Sequence, residues 1–171
     1  MKTFGATLLL SSVLLSAAIP LAASNIVTDW NTIASTAIVK NGGKASTPSG
    51  VWFAYTSLAV YDAVNAITGQ YRTFYYRGTG PQTASVDAAA AAAAHRILVN
   101  YFPAQQSDLD ARFAASLSNI SADPAAKDAG VSVGEGEEYR NGFIPALDRR
   151  EIQRSAVDRD AEDAHDGRSV Q

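Results

Sequence analysis

The 171 residues suit one domain, and 47% of them are hydrophobic, so a sizeable core is within reach. There is no cysteine, which excludes a disulfide scaffold and any thiolate metal site. Fourteen lysines and arginines stand against 17 acids, a net charge of −3, with no clustered basic face of the kind a nucleic-acid binder needs.

The first segment reads as a secretory signal. Lys2 supplies a positive start, Phe4 to Ile19 is mostly apolar and uncharged, and small residues follow at Ala22, Ala23 and Ser24. Cleavage is expected between Ala18 and Ser24, giving a signal peptide over 1–23 and a secreted, extracellular product. The apolar stretch falls short of the roughly 20 residues that cross a bilayer. A membrane anchor or a buried helix is therefore the weaker reading, and no membrane span is expected after cleavage.

Residues 28–39 fit a helix. Trp30, Ile33, Ala34, Ala37 and Ile38 recur on one face, Thr28 or Asp29 offers a cap, and Asn41-Gly42-Gly43 ends it. The next helix starts near Thr47, an N-cap oxygen, with Pro48 at its first position. Val51, Tyr55, Leu58, Asp62 and Asn65 lie along one stripe of it, and Gly69 stops it. Asp62 and Asn65 are thus polar groups on or beside an apolar face, either buried with partners or at its rim.

Residues 69–84 form a loop rich in glycine, proline and threonine in its second half. Tyr71, Phe74, Tyr75 and Tyr76 are too many aromatics for a bare linker, so the loop is expected to lie across helices. Arg72 and Arg77 among the aromatics hint at stacked nucleic acid, but two arginines in a neutral region argue against it.

Ser85 caps a third helix with Asp87 in its first turn. Seven alanines, Ala88 to Ala94, form its body, and Pro103 stops the run. Residues 104–120 make a fourth helix with Leu109, Phe113 and Leu117 at four-residue steps. Asp123-Pro124 starts a fifth, whose pattern is expected to run past Glu135 and does not. No stretch alternates as a strand would, so the fold class is all-α, a helical bundle.

Several of these pieces together resemble one family. "LAVYDAVNAI", a tyrosine-rich loop, "AAAAAAAHRIL", "YFPAQQSDLDARFAASLSNI" and "AKDAGVSVGE" are similar, in order and spacing, to the N-terminal helical part of vanadium-dependent haloperoxidases. More broadly they resemble the acid phosphatase superfamily called PAP2. The likeness covers about residues 25–135. It implies a secreted helical enzyme holding vanadate or phosphate in a four-helix-bundle core, with the chain as the N-terminal lobe of such a fold. Haloperoxidases of this kind use peroxide at vanadate to oxidise halide; the phosphatases pass a phosphoryl group to histidine and then water. In both, lysine and arginines clamp the oxyanion, a Pro-Ser-Gly-His segment adds contacts, and an arginine precedes a late histidine. Cations and fixed N–H donors neutralise the anion, and histidine does the proton or covalent work.

Those residues lie downstream of the matched part in the family. Pro48-Ser49-Gly50 is followed by Val51 where histidine should stand, it comes far too early, and a helix start explains it. Arg159 and His165 are spaced like the late pair, but Asp158, Asp160, Glu162, Asp163 and Asp166 around them would repel an oxyanion. No lysine occurs beyond Lys127. No catalytic, cofactor-binding or metal residue is therefore carried over, and vanadate, the cofactor of the full-length family, is not expected to bind this chain.

His95 is left as the one histidine before the charged segment. A general base is one reading; the stronger one is a structural bond to a helix backbone or to Asp62, with Arg96 pairing an acid such as Asp62. Asn119-Ile120-Ser121 is a glycosylation sequon, functional only if exposed. The acidic "DAEDAHD" is more readily a solvated run than a cation site.

Residues 25–134 hold seven acids and seven bases; residues 135–171 hold ten acids and six arginines, giving −4. The latter segment has little to bury, so a disordered charged tail is expected, or one outside the family's reading frame. The leading expectation is a truncated N-terminal portion of a haloperoxidase/PAP2-like enzyme, inactive alone, whose exposed apolar helix faces invite self-association. The alternative is a small secreted helical binding or structural module with an acidic tail.

Overall fold

The computed structural model describes residues 25–44, 46–76, 78–136 and 149, and the structural statements below concern these. The expected signal peptide at 1–23 and the charged segment from 137 onward, with Arg159 and His165, lie outside them, apart from an exposed Arg149. Five α-helices and no strand occur among the described residues: α1 (Ile26–Ser35), α2 (Ser46–Thr68), α3 (Val86–Tyr101), α4 (Gln106–Asn119) and α5 (Pro124–Gly134). The fold is all-α.

Helix α1 begins two residues before the expected Thr28. Asn25 is the cap, and its side chain accepts from Val27 N at 2.9 Å. The helix then widens into a π-helical turn, Thr36–Asn41, and the chain leaves through Gly43 at φ +62°, a left-handed position that costs glycine nothing. The expected apolar face is the one buried: Trp30, Ala34, Ala37 and Ile38. Helix α2 ends as the sequence predicts, with Gly69 at φ +61°.

Ser85 caps α3 by accepting from Ala88 N, and Asp123 caps α5 by accepting from Ala126 N at 2.9 Å. Helix α3 stops at Tyr101, and Pro103 opens a short 3-10 turn, Pro103–Gln105, before α4. The fourth helix accordingly starts two residues later than expected.

Helix α3 is the axis. It packs against α1, α2, α4 and α5, and all seven of its alanines are buried. Ala89, Ala93 and Ile97 share a cluster with Tyr55, Ala63 and Val133. Ala90, Ala91, Ala94 and Leu98 share a second with Trp30, Ile38 and Leu109. Small side chains let four neighbours approach one helix, which larger ones would hold apart. Helix α5 comes closest. A Cβ on Gly130 would lie 2.3 Å from Ser85 O, and one on Gly134 2.4 Å from Ala89 O.

The loop between α2 and α3 only half follows expectation. Tyr75 and Tyr76 pack on the core, but Phe74 and Tyr71 face outward, 44% and 69% exposed. The physical reason is the anchoring of the loop backbone, described next.

Candidate functional site

Among the described residues, two polar clusters and several open clefts are where chemistry could reside. The first cluster is on α2. Three residues apart, Asp62 and Asn65 lie on the same helical face, and both are buried. The Asp62 carboxylate accepts from the backbone N–H groups of Phe74, Tyr75 (2.7 Å) and Tyr76 (2.9 Å). Asn65 accepts from Tyr71 N at 3.2 Å and donates to Tyr61 O at 2.8 Å. Tyr61 in turn donates its hydroxyl to Arg72 O at 3.0 Å. A fully buried carboxylate needs donors on both oxygens, and three loop amides supply them. This clamp fixes the loop backbone and leaves the side chains of Tyr71 and Phe74 on the outside.

The second cluster is on α3. His95 Nε2 lies 2.7 Å from Asp110 Oδ1 of α4, and because a carboxylate oxygen accepts, Nε2 is the donor there. The ring stacks on Phe113, centroids 4.6 Å apart and planes 11° apart, and meets the edge of Trp30. Its Nδ1 is buried without a hydrogen-bond partner, 3.9 Å from Glu135 Oε1. Arg96 Nη1 donates to Glu135 O at 3.2 Å. The expected pairing of Asp62 with His95 or Arg96 is therefore corrected. Asp62 turns to the loop that follows its own helix, whereas His95 and Arg96 sit where α3 meets α4 and the end of α5.

The arrangement limits what His95 can do. A general base needs one ring nitrogen oriented and the other open to substrate. Here Asp110 holds Nε2, and Nδ1 is enclosed. The cluster joins helices.

One open cleft, of about 470 Å³, is lined by Asn65, Arg72, Thr73, Tyr76 and Gly78 among others. Another, of about 550 Å³, lies between α1, α3 and α4, lined by Asp29, Asp87, Arg112 and Asn119 among others. Among the described residues, Arg72 lines the first, and Arg112, bound to Asp108 at 2.7 Å, lines the second. Among the described residues no three metal-ligating side chains converge, and no helix is long and apolar enough to cross a membrane. The sequon residue Asn119 is exposed, at the last position of α4.

Sequence reasoning missed Asp110 and Glu135. Asp110 adjoins Leu109 on the periodic stripe of α4, a position that could have nominated it as a partner for His95. Glu135 follows the end of its helix, where periodicity carries no signal. Comparison with protein-family models, with curated proteins and with solved structures returned no match.

Proposed function

We propose that residues 25–135 are the N-terminal helical portion of a secreted enzyme of the vanadium-haloperoxidase and PAP2 type, and that in this chain they are scaffold. Halide oxidation by peroxide, or phosphate ester hydrolysis, then belongs to the full-length family and not to this chain alone. The observation that carries the reading is the order and spacing of the five resembling segments. It is supported by their forming four consecutive helices, α2 to α5, and the pinned loop between α2 and α3.

The test is to sequence the transcript across the codons for Val131 to Arg140 and onward. A frame or splice form that continues the helix and later encodes Pro-Ser-Gly-His, an arginine and a histidine supports the proposal. A transcript with no such segments in any frame overturns it. The chain as given should neither oxidise bromide with vanadate and peroxide nor hydrolyse a chromogenic phosphomonoester; turnover in either assay would place a working site here.

A second reading, a secreted helical binding module, is favoured by one observation. Tyr61, Tyr71 and Phe74 are 40%, 69% and 44% exposed beside Arg72 on a backbone held from within. Tyrosine and arginine on a rigid frame are the residue types of binding hot spots. A cooperative melt and a monomer in solution would support the module; self-association through apolar faces would support the enzyme portion.

A further inference from the structure

We propose that Asn119 carries an N-linked glycan whose first N-acetylglucosamine seats in the cleft between α1, α3 and α4. The inference rests on the secreted character proposed above, because the sugar donor is met on the secretory route; the seat rests on geometry.

Asn119-Ile120-Ser121 has the acceptor spacing, with isoleucine and not proline in the middle. Asn119 is the last residue of α4, and Ile120 leaves the helix in an extended conformation, φ −71° and ψ 123°. Both Asn119 and Ser121 are exposed. The acceptor thus straddles a helix end, where backbone frays most readily. The reaction is a glycosyl transfer without oxidation or reduction. Asn119 Nδ2 bonds to the anomeric carbon of a polyprenyl-pyrophosphate oligosaccharide. The bond from that carbon to the pyrophosphate oxygen breaks, Nδ2 gives up one proton, and the lipid pyrophosphate leaves.

Asn119 itself lines the cleft of about 550 Å³, within the range of roughly 300–1,000 Å³ for small-ligand pockets. Ile26 and Ile33 of α1 and Ile120 give the cleft an apolar side, and all three are half-buried. Asp29, Arg112 and Ser116 give it polar groups. A pyranose has the same division, an apolar C–H face and a rim of hydroxyls. The C–H face lies on the isoleucines, and the hydroxyls and acetamide meet the polar groups. The bond to Asn119 keeps the sugar at the cleft, so contacts too weak to hold a free saccharide suffice.

The experiment expresses the chain in a eukaryotic secretory host twice, once with its own residues 1–23 and once with a proven secretory leader in their place. Glycan is read by intact mass on pooled cell and medium protein. A glycan on the second form alone rejects the secretory signal while leaving the acceptor in place; no glycan on the second form overturns the proposal. The expected result is one glycan, absent from Asn119→Gln and from Ser121→Ala. An endoglycosidase that leaves only the first N-acetylglucosamine then gives a one-sugar protein. It should melt about 2–4 °C above sugar-free Asn119→Gln. Ile33→Ala, made in both, should reduce that difference. Equal melting of the one-sugar and sugar-free proteins, or a difference untouched by Ile33→Ala, overturns the seat. If Asn119→Gln does not fold, wild type stripped by peptide-N-glycosidase takes its place, and if Ile33→Ala does not, the wild-type comparison decides alone.

Discussion

The Asp62 carboxylate on α2 accepts the backbone N–H of Tyr75 at 2.7 Å, so a buried charge holds a surface loop by its main chain. Side chains of the loop are then free to face either way, and two of its aromatics face water.

Removing that charge should be costly. Asp62→Ala leaves three loop amides without their acceptor, and a loss of about 2–5 kcal/mol is expected, seen as a clear fall in melting temperature. Asp62→Asn keeps the volume and one acceptor oxygen, and should lose less. Amide exchange at Phe74, Tyr75 and Tyr76 should accelerate in both variants before the helices melt. Wild-type melting in Asp62→Ala would mean the carboxylate does not anchor the loop.

Glycine-to-alanine changes should split by location. Gly134→Ala puts a methyl 2.4 Å from Ala89 O, so α5 must move off α3, at about 1–3 kcal/mol despite alanine's better helix propensity. Gly50 of α2 has nothing within 4 Å of an added Cβ, so Gly50→Ala should stabilise by up to about 1 kcal/mol. Urea denaturation of both variants checks the pair; equal effects of the same sign would refute the close contact of α5 with α3.

The alanine run should resist enlargement. Ala91 and Ala93 are completely buried, on the two sides of α3 that serve different clusters. Ala91→Leu or Ala93→Leu overfills a helix crossing and should destabilise by about 1–3 kcal/mol or more. Ala114→Leu, at an exposed position of α4, should stay within about 0.5 kcal/mol of the wild type. Chemical denaturation of the three variants measures the contrast.

The exposed aromatics should govern stickiness. Changing Tyr71 and Phe74 together to serine removes two of the exposed aromatic side chains while leaving the Asp62 and Tyr61 bonds to the loop backbone intact. Sedimentation velocity should show less self-association in the double variant, with helicity unchanged by circular dichroism. Unchanged association would put the contact surface elsewhere.

Much of the local structure was legible because its causes are local. The Ser85 and Asp123 caps each satisfy an N–H three residues on, and Gly69 ends α2 through its own φ. The expected start of α1 was late because Asn25, an equally good cap, stands earlier in the chain. The apolar face of α1 was readable from spacing, since burial follows the 3.6-residue period whatever the neighbour is.

Partners across the molecule were not legible. Asp62 could be recognised as a polar group on an apolar stripe, but not assigned the loop amides in preference to His95 or Arg96. His95 meets Asp110 fifteen positions on, and Arg96 meets Glu135 thirty-nine positions on. Such pairs depend on how close helices come and at what angle, and that is set by side-chain volumes at the crossings. By itself the sequence determined that the described chain is helical, where most of its helices stop, and that α3 is small enough to be surrounded. Only the tertiary structure decided which charge meets which donor, because a helix crossing is the joint product of two surfaces and neither strand of sequence contains it.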